Sequence, residues 1–439
     1  MSISPPTGHG GIREGRQSKG DPGGTHGRDT VDILNGIKVI DVTAWAFVPS
    51  AGGVLAHWGA DVIKVESPGA PDPMRLLGGT LEPGASSAAF KHYSRGKRSV
   101  AIDLASDEGR ELLYRLVAGA DVFLTSYLAP TRRKLGIDVA DIRRVNPSII
   151  YAKGSGYGAK GPDADHRGYD LLGWWSRGSL AQSAMDVSGS DWPTGMVGHG
   201  DGMSGLVFAG GICAALLKRE RSGETSVVDA SLMGTAAWFN GMAVLGEQAR
   251  TPKRRAGPVR RPPLPADFPP SLVSALNATY QTSDFRFINL LFLGDDDRDF
   301  ADLAARIGQP ELAAADRFCT AAQRRGGYQE LQHQLEQVFA AHPLTHWKVA
   351  LAGSRGAWAP VQTPTELLTD PQTVANGFIR PIDHAGGSIS IPVPPIQFDG
   401  EAGDPPRAPD FAEHTDQILT ELGCSREDIH DYRQRGTVA

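Results

Sequence analysis

From Leu34 onward the apolar residues fall into short runs separated by stretches of helical spacing. Ile37–Val42 (IKVIDV) and Gly59–Glu66 (GADVIKVE) read as strands, and Ser99–Leu104 (SVAIDL) as a third. Glu108–Val117 carries apolar residues at the three-and-four spacing of a helix and ends at Gly119. Asp121–Leu124 and Ser148–Tyr151 are two more strands, with Ile137–Val145 predicted as a helix between them. Strands alternating with helices of this length predict a parallel, doubly wound α/β sheet. Gly205–Arg219 reads as a buried helix rich in Gly and Ala, and an apolar stretch runs from Ser226–Asp229 to Leu245.

Two segments break the pattern. Residues 1–30 hold eight glycines and almost nothing apolar, so they are expected to form a disordered tail. Residues 250–270 hold six Arg or Lys and seven Pro, which predicts an extended linker. Beyond it, Thr279–Leu293 reads as strand, turn, strand, with Ser283 and Asp284 at the turn, and residues 296–355 as helical. Strand and helix return at Ser388–Phe398 and around His414–Leu422. The predicted organisation is a tail (1–30), a large α/β domain (31–248), a linker (249–272), a small α+β domain (273–380) and a C-terminal segment (381–439) that rejoins the large domain. There are no internal repeats.

Composition narrows the function classes. With Lys plus Arg 44 against Asp plus Glu 50, the chain carries a net charge of −6, which disfavours nucleic acid as a partner. Three widely spaced cysteines make neither a disulfide framework nor a zinc site. The longest nearly apolar stretch, Gly205–Leu217, is too short to span a bilayer, and no start of secretory type is present. A cytoplasmic protein without membrane attachment is expected.

The candidate chemistry is sparse. Gly156–Gly161 (GYGAKG) fits the dinucleotide fingerprint, but Pro162 and a polar stretch follow where a helix should begin on the pyrophosphate. No nucleophile elbow, no phosphate loop and no His-Glu-x-x-His occurs, so no metal is expected. One region gathers acids, glycines and aromatics: Gly168-Tyr169-Asp170, Ser188-Gly189-Ser190-Asp191-Trp192-Pro193 and His199-Gly200-Asp201-Gly202. Such pieces are ordinary turn formers. A carboxylate among glycines can also attack an activated acyl group, with glycine N–H groups stabilising the oxyanion.

Together these pieces resemble the class III CoA-transferases, the carnitine and bile-acid CoA-transferase family. The resemblance runs from about Leu34 onward through LNGIKVIDVT, GADVIKVE with Asp72–Arg75, GKRSVAIDL with Asp107–Arg110, GADVFLTSY, KLGID and NPSIIYAKGSGYGAKGP. It continues through GICAALLKRERSGE before VVDASLM and closes on AEHTDQIL, Ala412–Leu419. It implies an intertwined homodimer of ring-like subunits, each a Rossmann-like large domain joined to a small one. The implied reaction moves CoA from an acyl-CoA to a free carboxylic acid through an aspartyl anhydride and an enzyme–CoA thioester, with no tightly bound cofactor.

By the same resemblance the nucleophile falls on Asp191, with Asp186 its nearest competitor. Racemases of this fold use a His in a Gly-His-Asp triplet together with the Asp of a Gly-Asp element. Here Asp201 matches the second, but Tyr169 stands in place of the His, and a neutral phenol is a poor base. An acyl-CoA racemase and a CoA-binding protein without transfer chemistry remain the alternatives. CoA contacts are implied at Trp45, Ala46, Phe47, Ile102, Ser126, Tyr127 and Lys134. The family's cationic positions are Ser67 and Ala105 here, so Arg75, Lys97, Arg98 or Arg132 are expected to meet the nucleotide phosphates. Trp45, Phe47, Trp174, Trp175 and Trp192 point to an apolar or aromatic acyl group, although Trp174 and Trp175 fit equally well as core residues.

Overall fold

The computed structural model describes residues 31–77, 86–188, 192, 195–249, 274–293, 296–384 and 387–439. The expected tail and the Pro- and Arg-rich linker lie outside the described residues. Six strands, β1 (Lys38–Val42), β2 (Asp61–Glu66), β3 (Arg98–Ala101), β4 (Val122–Thr125), β5 (Ile150–Ser155) and β6 (Val227–Ser231), form one sheet in the order β3-β2-β1-β4-β5-β6. Every pairing in it is parallel. That order is the dinucleotide-fold order, with its reversal between β1 and β4. The strands predicted from the apolar runs are thus all present, and β6 completes the sheet.

Both faces of the sheet are covered, which is why its strands read as continuous apolar runs and not as alternating ones. On one face, α1 (Phe47–His57) and α7 (His199–Ser222) pack through Leu55, Phe208 and Ile212 onto Val39, Val122 and Ile150. On the other, α3 (Asp107–Ala118) and α5 (Val139–Val145) bring Leu112, Leu116 and Ile142 against Ile40, Val100 and Phe123. The Ser106 hydroxyl caps α3 by accepting from Gly109 N at 3.0 Å, with Asp107 and Glu108 favourably placed in the first turn. Between these lie α2 (Ala88–Tyr93), α4 (Ala129–Leu135) and α6 (Leu180–Ser188), and α8 (Leu232–Phe239) and α9 (Gly241–Ala249) follow β6.

Helix α7 is considerably longer than the predicted Gly205–Arg219. By length and composition it could cross a bilayer, yet in the fold it lies flat on α1. A Cβ at Gly205 would sit 1.8 Å from Ser50 Oγ and 2.9 Å from the Phe47 carbonyl, so this crossing needs glycine.

A separate apolar cluster surrounds the antiparallel sheet of β7 (Thr279–Gln281), β8 (Phe287–Leu291) and β9 (Ala357–Pro360). Helix α10 (Asp297–Arg306) and the helix Tyr328–Ala340 pack Phe300, Leu303, Leu335 and Phe339 there. A further hairpin pairs β10 (Ile379–His384) with β11 (Gly387–Pro392), so the expected boundary after residue 380 falls inside a strand. Residues 412–438 then run along the outer edge of β3. His414 N donates to Ser99 O at 2.9 Å, Asp103 N donates to Thr437 O at 2.8 Å, and Val438 bridges Ile102. Ile418, Leu419 and Ile429 enter the same core as β1 and β3.

Candidate active site

Where the strand order reverses, the loops leaving β1 and β4 part and open a crevice at the carboxyl ends of the strands. Here the two loops are stitched together. Ala44 N donates to Ser126 Oγ at 2.9 Å, and that hydroxyl donates to the Ala44 carbonyl at 3.3 Å. Beneath them, Lys64 on β2 donates to Thr43 O at 3.0 Å and to Asp72 Oδ2 at 2.8 Å, with both side chains essentially inaccessible. Asp72 Oδ1 in turn accepts from Trp45 N and Met74 N, each at 3.0 Å. Trp45 is thereby held at φ 73°, a left-handed conformation that bulky residues rarely adopt.

The second half of the site is built from α7. Gly168-Tyr169-Asp170 leads into a π-helical segment, Asp170–Ser176, which the sequence did not predict. Buried Asp170 receives the helix start: its Oδ2 accepts from Gly198 N at 3.0 Å and its Oδ1 from Asp201 N at 3.1 Å. It thus caps α7 from a distant segment, where the exposed N–H groups and the helix dipole favour an anion. Gly200 permits this contact, because a Cβ there would lie 2.3 Å from Trp174 Cγ and 2.4 Å from Asp170 Oδ1.

Asp201, in the first turn of α7, differs from Asp170. Among the described residues its carboxylate accepts no hydrogen bond. Burial first, and the neighbouring charge of Asp170 second, push it up to about 7. Tyr93 at the end of α2 faces both acids. Burial, then Asp201 and Asp170, raise its phenol to about 12, and it donates to the Gly198 carbonyl at 3.0 Å. Trp45 meets Tyr169 edge-to-face, with ring centroids 5.4 Å apart.

Of the expected contacts, the structure brings Trp45, Ser126 and Tyr127 to the two loops, packs Ala46 and Phe47 into the core and leaves Lys134 exposed on α4. Three others are corrected. Arg75 is buried, with Nη2 2.6 Å from Glu66 Oε2 and its guanidinium 3.9 Å over the Phe90 ring. Burial alone would raise the Glu66 carboxyl, but Arg75 and the nearby Lys64 outweigh it and hold it at about 2. Lys97 is sealed against Asp41 at 2.7 Å, both side chains at 0% exposure. Ile102 is likewise fully buried. All three side chains are engaged within the fold. Arg98 pairs with Asp61 and Glu421. Asp191 lies outside the described residues, as does the side chain of Asp186. Trp174 is a core residue, while Trp175 donates to the Met196 carbonyl at 3.0 Å.

Residues 34–415 match the model of CoA-transferase family III. The chain belongs to CoA-transferase family III. Among its relatives is the (R)-2-hydroxy-4-methylpentanoate CoA-transferase of Clostridioides difficile, 28% identical over 92% of this chain and 99% of that protein. Another is the cinnamoyl-CoA:phenyllactate CoA-transferase of Clostridium sporogenes, 27% identical over 92% of this chain and 96% of its own. A CAIB/BAIF family protein from Brucella suis superposes with a TM-score of 0.73 at 29% identity, covering 89% of this chain and 99% of that one. The family III resemblance read from the motifs is therefore correct, and the protein is an enzyme of the CoA-transferase class. What the motifs did not single out for this chemistry is the pairing of Asp170 with Asp201. Its sequence signals were Gly168-Tyr169-Asp170 and the Gly-Asp-Gly of residues 200–202, the latter read as half of a racemase pair.

Proposed function

We propose that this CoA-transferase takes CoA from an acyl thioester to a free carboxylic acid by covalent catalysis, and that Asp201 is the nucleophile. The observation that carries the reading is the state of Asp201: a desolvated carboxylate, uncommitted among the described residues, at the start of a helix whose cap is another carboxylate. A carboxylate raised to about 7 is more basic than an ordinary one and still about half ionised at neutral pH. Asp201 attacks the thioester carbonyl carbon, the C–S bond breaks, and CoA leaves as the thiolate. The thiolate then attacks the aspartyl carbonyl of the anhydride, expelling the first acid as its carboxylate and leaving an aspartyl–CoA thioester. The incoming carboxylate repeats the two steps in reverse order and departs as the new acyl-CoA. In this reading CoA enters at the carboxyl ends of β1 and β4, past Ser126 and Tyr127, and exposed Lys134 remains available to a phosphate.

The sequence reading favoured Asp191, and one experiment separates the two. Asp201→Asn is expected to lower labelled-acid exchange by at least a thousandfold while Asp191→Ala retains more than a tenth of it. Hydroxylamine should leave a hydroxamate on the peptide bearing Asp201. A hydroxamate on the Asp191 peptide, with an active Asp201→Asn enzyme, transfers the role to Asp191.

A further inference from the structure

Trp45 is an expensive residue to place where it stands. It is a bulky side chain in left-handed backbone, a conformation that persists only when its surroundings over-determine it. Three separate devices do so: the acceptor Asp72 Oδ1 on its own N–H, the Lys64 ammonium that fixes Asp72 and the Thr43 carbonyl, and the Ser126 hydroxyl bonded to both polar groups of Ala44. The result of this buried polar scaffold is not a buried ring. Trp45 is 40% exposed, edge-on to a Tyr169 that is 42% exposed, and the next two leucines in the chain, Leu171 and Leu172, are 44% and 46% exposed. Strain that holds an aromatic surface open to solvent at the carboxyl ends of the strands is strain in the service of a ligand.

The position of that surface identifies which part of the ligand it meets. Tyr169 is the immediate neighbour of Asp170, and Asp170 holds the N–H of Asp201 at 3.1 Å. Through Asp170, the Tyr169 ring is tied to the start of the helix that carries Asp201, which assigns the two rings to the thioester end of an acyl-CoA and not to its nucleotide end. The facing rings offer no charge to a short, polar acid, whereas they bury an apolar side chain with dispersion and edge-to-face contacts.

We propose that Trp45 and Tyr169 form a selecting wall for the acyl side chain, so that the enzyme prefers acids carrying a branched apolar or aromatic group over acetate-sized ones. This inference rests on the reading of Asp201 as the reacting group, and it adds the substrate class and the residues that set it. Trp45 is a specificity residue, and Asp72 and Lys64 are its positioning residues.

The test compares 3-phenylpropanoyl-CoA with acetyl-CoA, which share the whole CoA moiety. Dissociation constants for both are measured by calorimetry on the full-length wild type, Trp45→Ala and Trp45→Phe, and transfer rates are measured alongside. The wild type is expected to bind the phenylpropanoyl thioester at least tenfold more tightly. Trp45→Ala should reduce that preference to threefold or less by weakening the aromatic donor alone, and Trp45→Phe should restore most of it. An unchanged preference in Trp45→Ala, or an equal weakening of both donors, would overturn the proposal. Absence of labelled-acid exchange in the wild type would sink the covalent reading instead, while the binding ratio still reports on the wall.

Discussion

The Lys64–Asp72 pair can be perturbed with little change of shape. Asp72→Asn keeps an oxygen for the N–H groups of Trp45 and Met74, but sets an amide against a fully buried ammonium 2.8 Å away. Removing one partner of a buried ion pair costs about 3–5 kcal/mol, because the other charge is left uncompensated. Asp41 and Glu66 also favour the charged lysine, so the loss should fall near the lower end, about 3 kcal/mol. Lys64→Met should cost a similar amount by stranding the Asp72 carboxylate. The double variant removes both charges and loses chiefly the bond to Thr43 O, about 1 kcal/mol. Its total should therefore lie well below the sum of the single losses, giving a coupling of about 5 kcal/mol. Urea unfolding, with midpoint and slope fitted for each of the four proteins, measures this. A loss under about 1 kcal/mol for Asp72→Asn, or strict additivity of the two changes, would refute the reasoning.

Because Asp201 is held up at about 7, kcat/KM for the acyl donor should rise with pH and level off above an apparent pKa near 7 that belongs to the Asp170–Asp201 pair. The stability sign is opposite: the folded state keeps a proton that the unfolded chain releases, so stability is lost as pH rises from about 4 to 7. Asp201→Asn should accordingly melt higher than the wild type at pH 8 in calorimetry, and a lower melting point there would contradict the assignment. Gly205→Ala should destabilise by about 1–3 kcal/mol through overpacking on Ser50. Gly210→Ala, on the same helix with open space around its Cβ position, should be neutral or stabilising by up to about 1 kcal/mol; equal effects in thermal melts would show that the crossing is not as tight as it looks. Trp238, Phe239, Met242 and Leu245 of α8 and α9 are 83%, 44%, 86% and 63% exposed, a face suited to covering by a second copy. Light scattering at micromolar concentration should return twice 46.7 kDa; a mass of one chain excludes the homodimer.

The sheet was legible in the sequence because strands buried on both faces leave unbroken apolar runs, and Val39-Ile40 or Phe123-Leu124 send side chains to opposite cores. Strand β9 was not, since Ala357–Pro360 is short, half exposed and defined only by pairing with Phe287–Leu291, about seventy residues earlier. The expected phosphate contacts failed for a related reason. A lysine in a sequence looks available, and only the fold reveals that Lys97 meets Asp41 or that Arg75 turns back to Glu66. Asp201 was visible as a residue but not as a state, because its raised carboxyl comes from burial in the fold and from the charge of Asp170, thirty-one residues earlier.

The closure of β3 by residues 412–438 has a consequence for how the protein is made. Ile102 meets Val438, and Ser99 meets His414, so the first sheet cannot protect its outer edge until some three hundred further residues have been translated. At ordinary elongation rates that interval lasts tens of seconds. During it, the nascent chain presents an open strand edge and the apolar surface that Ile418, Leu419 and Ile429 later cover, features that invite intermolecular pairing. The ribosome-bound intermediate is therefore a natural client for chaperones, and cells limited in them should yield aggregated protein even where the finished enzyme is stable.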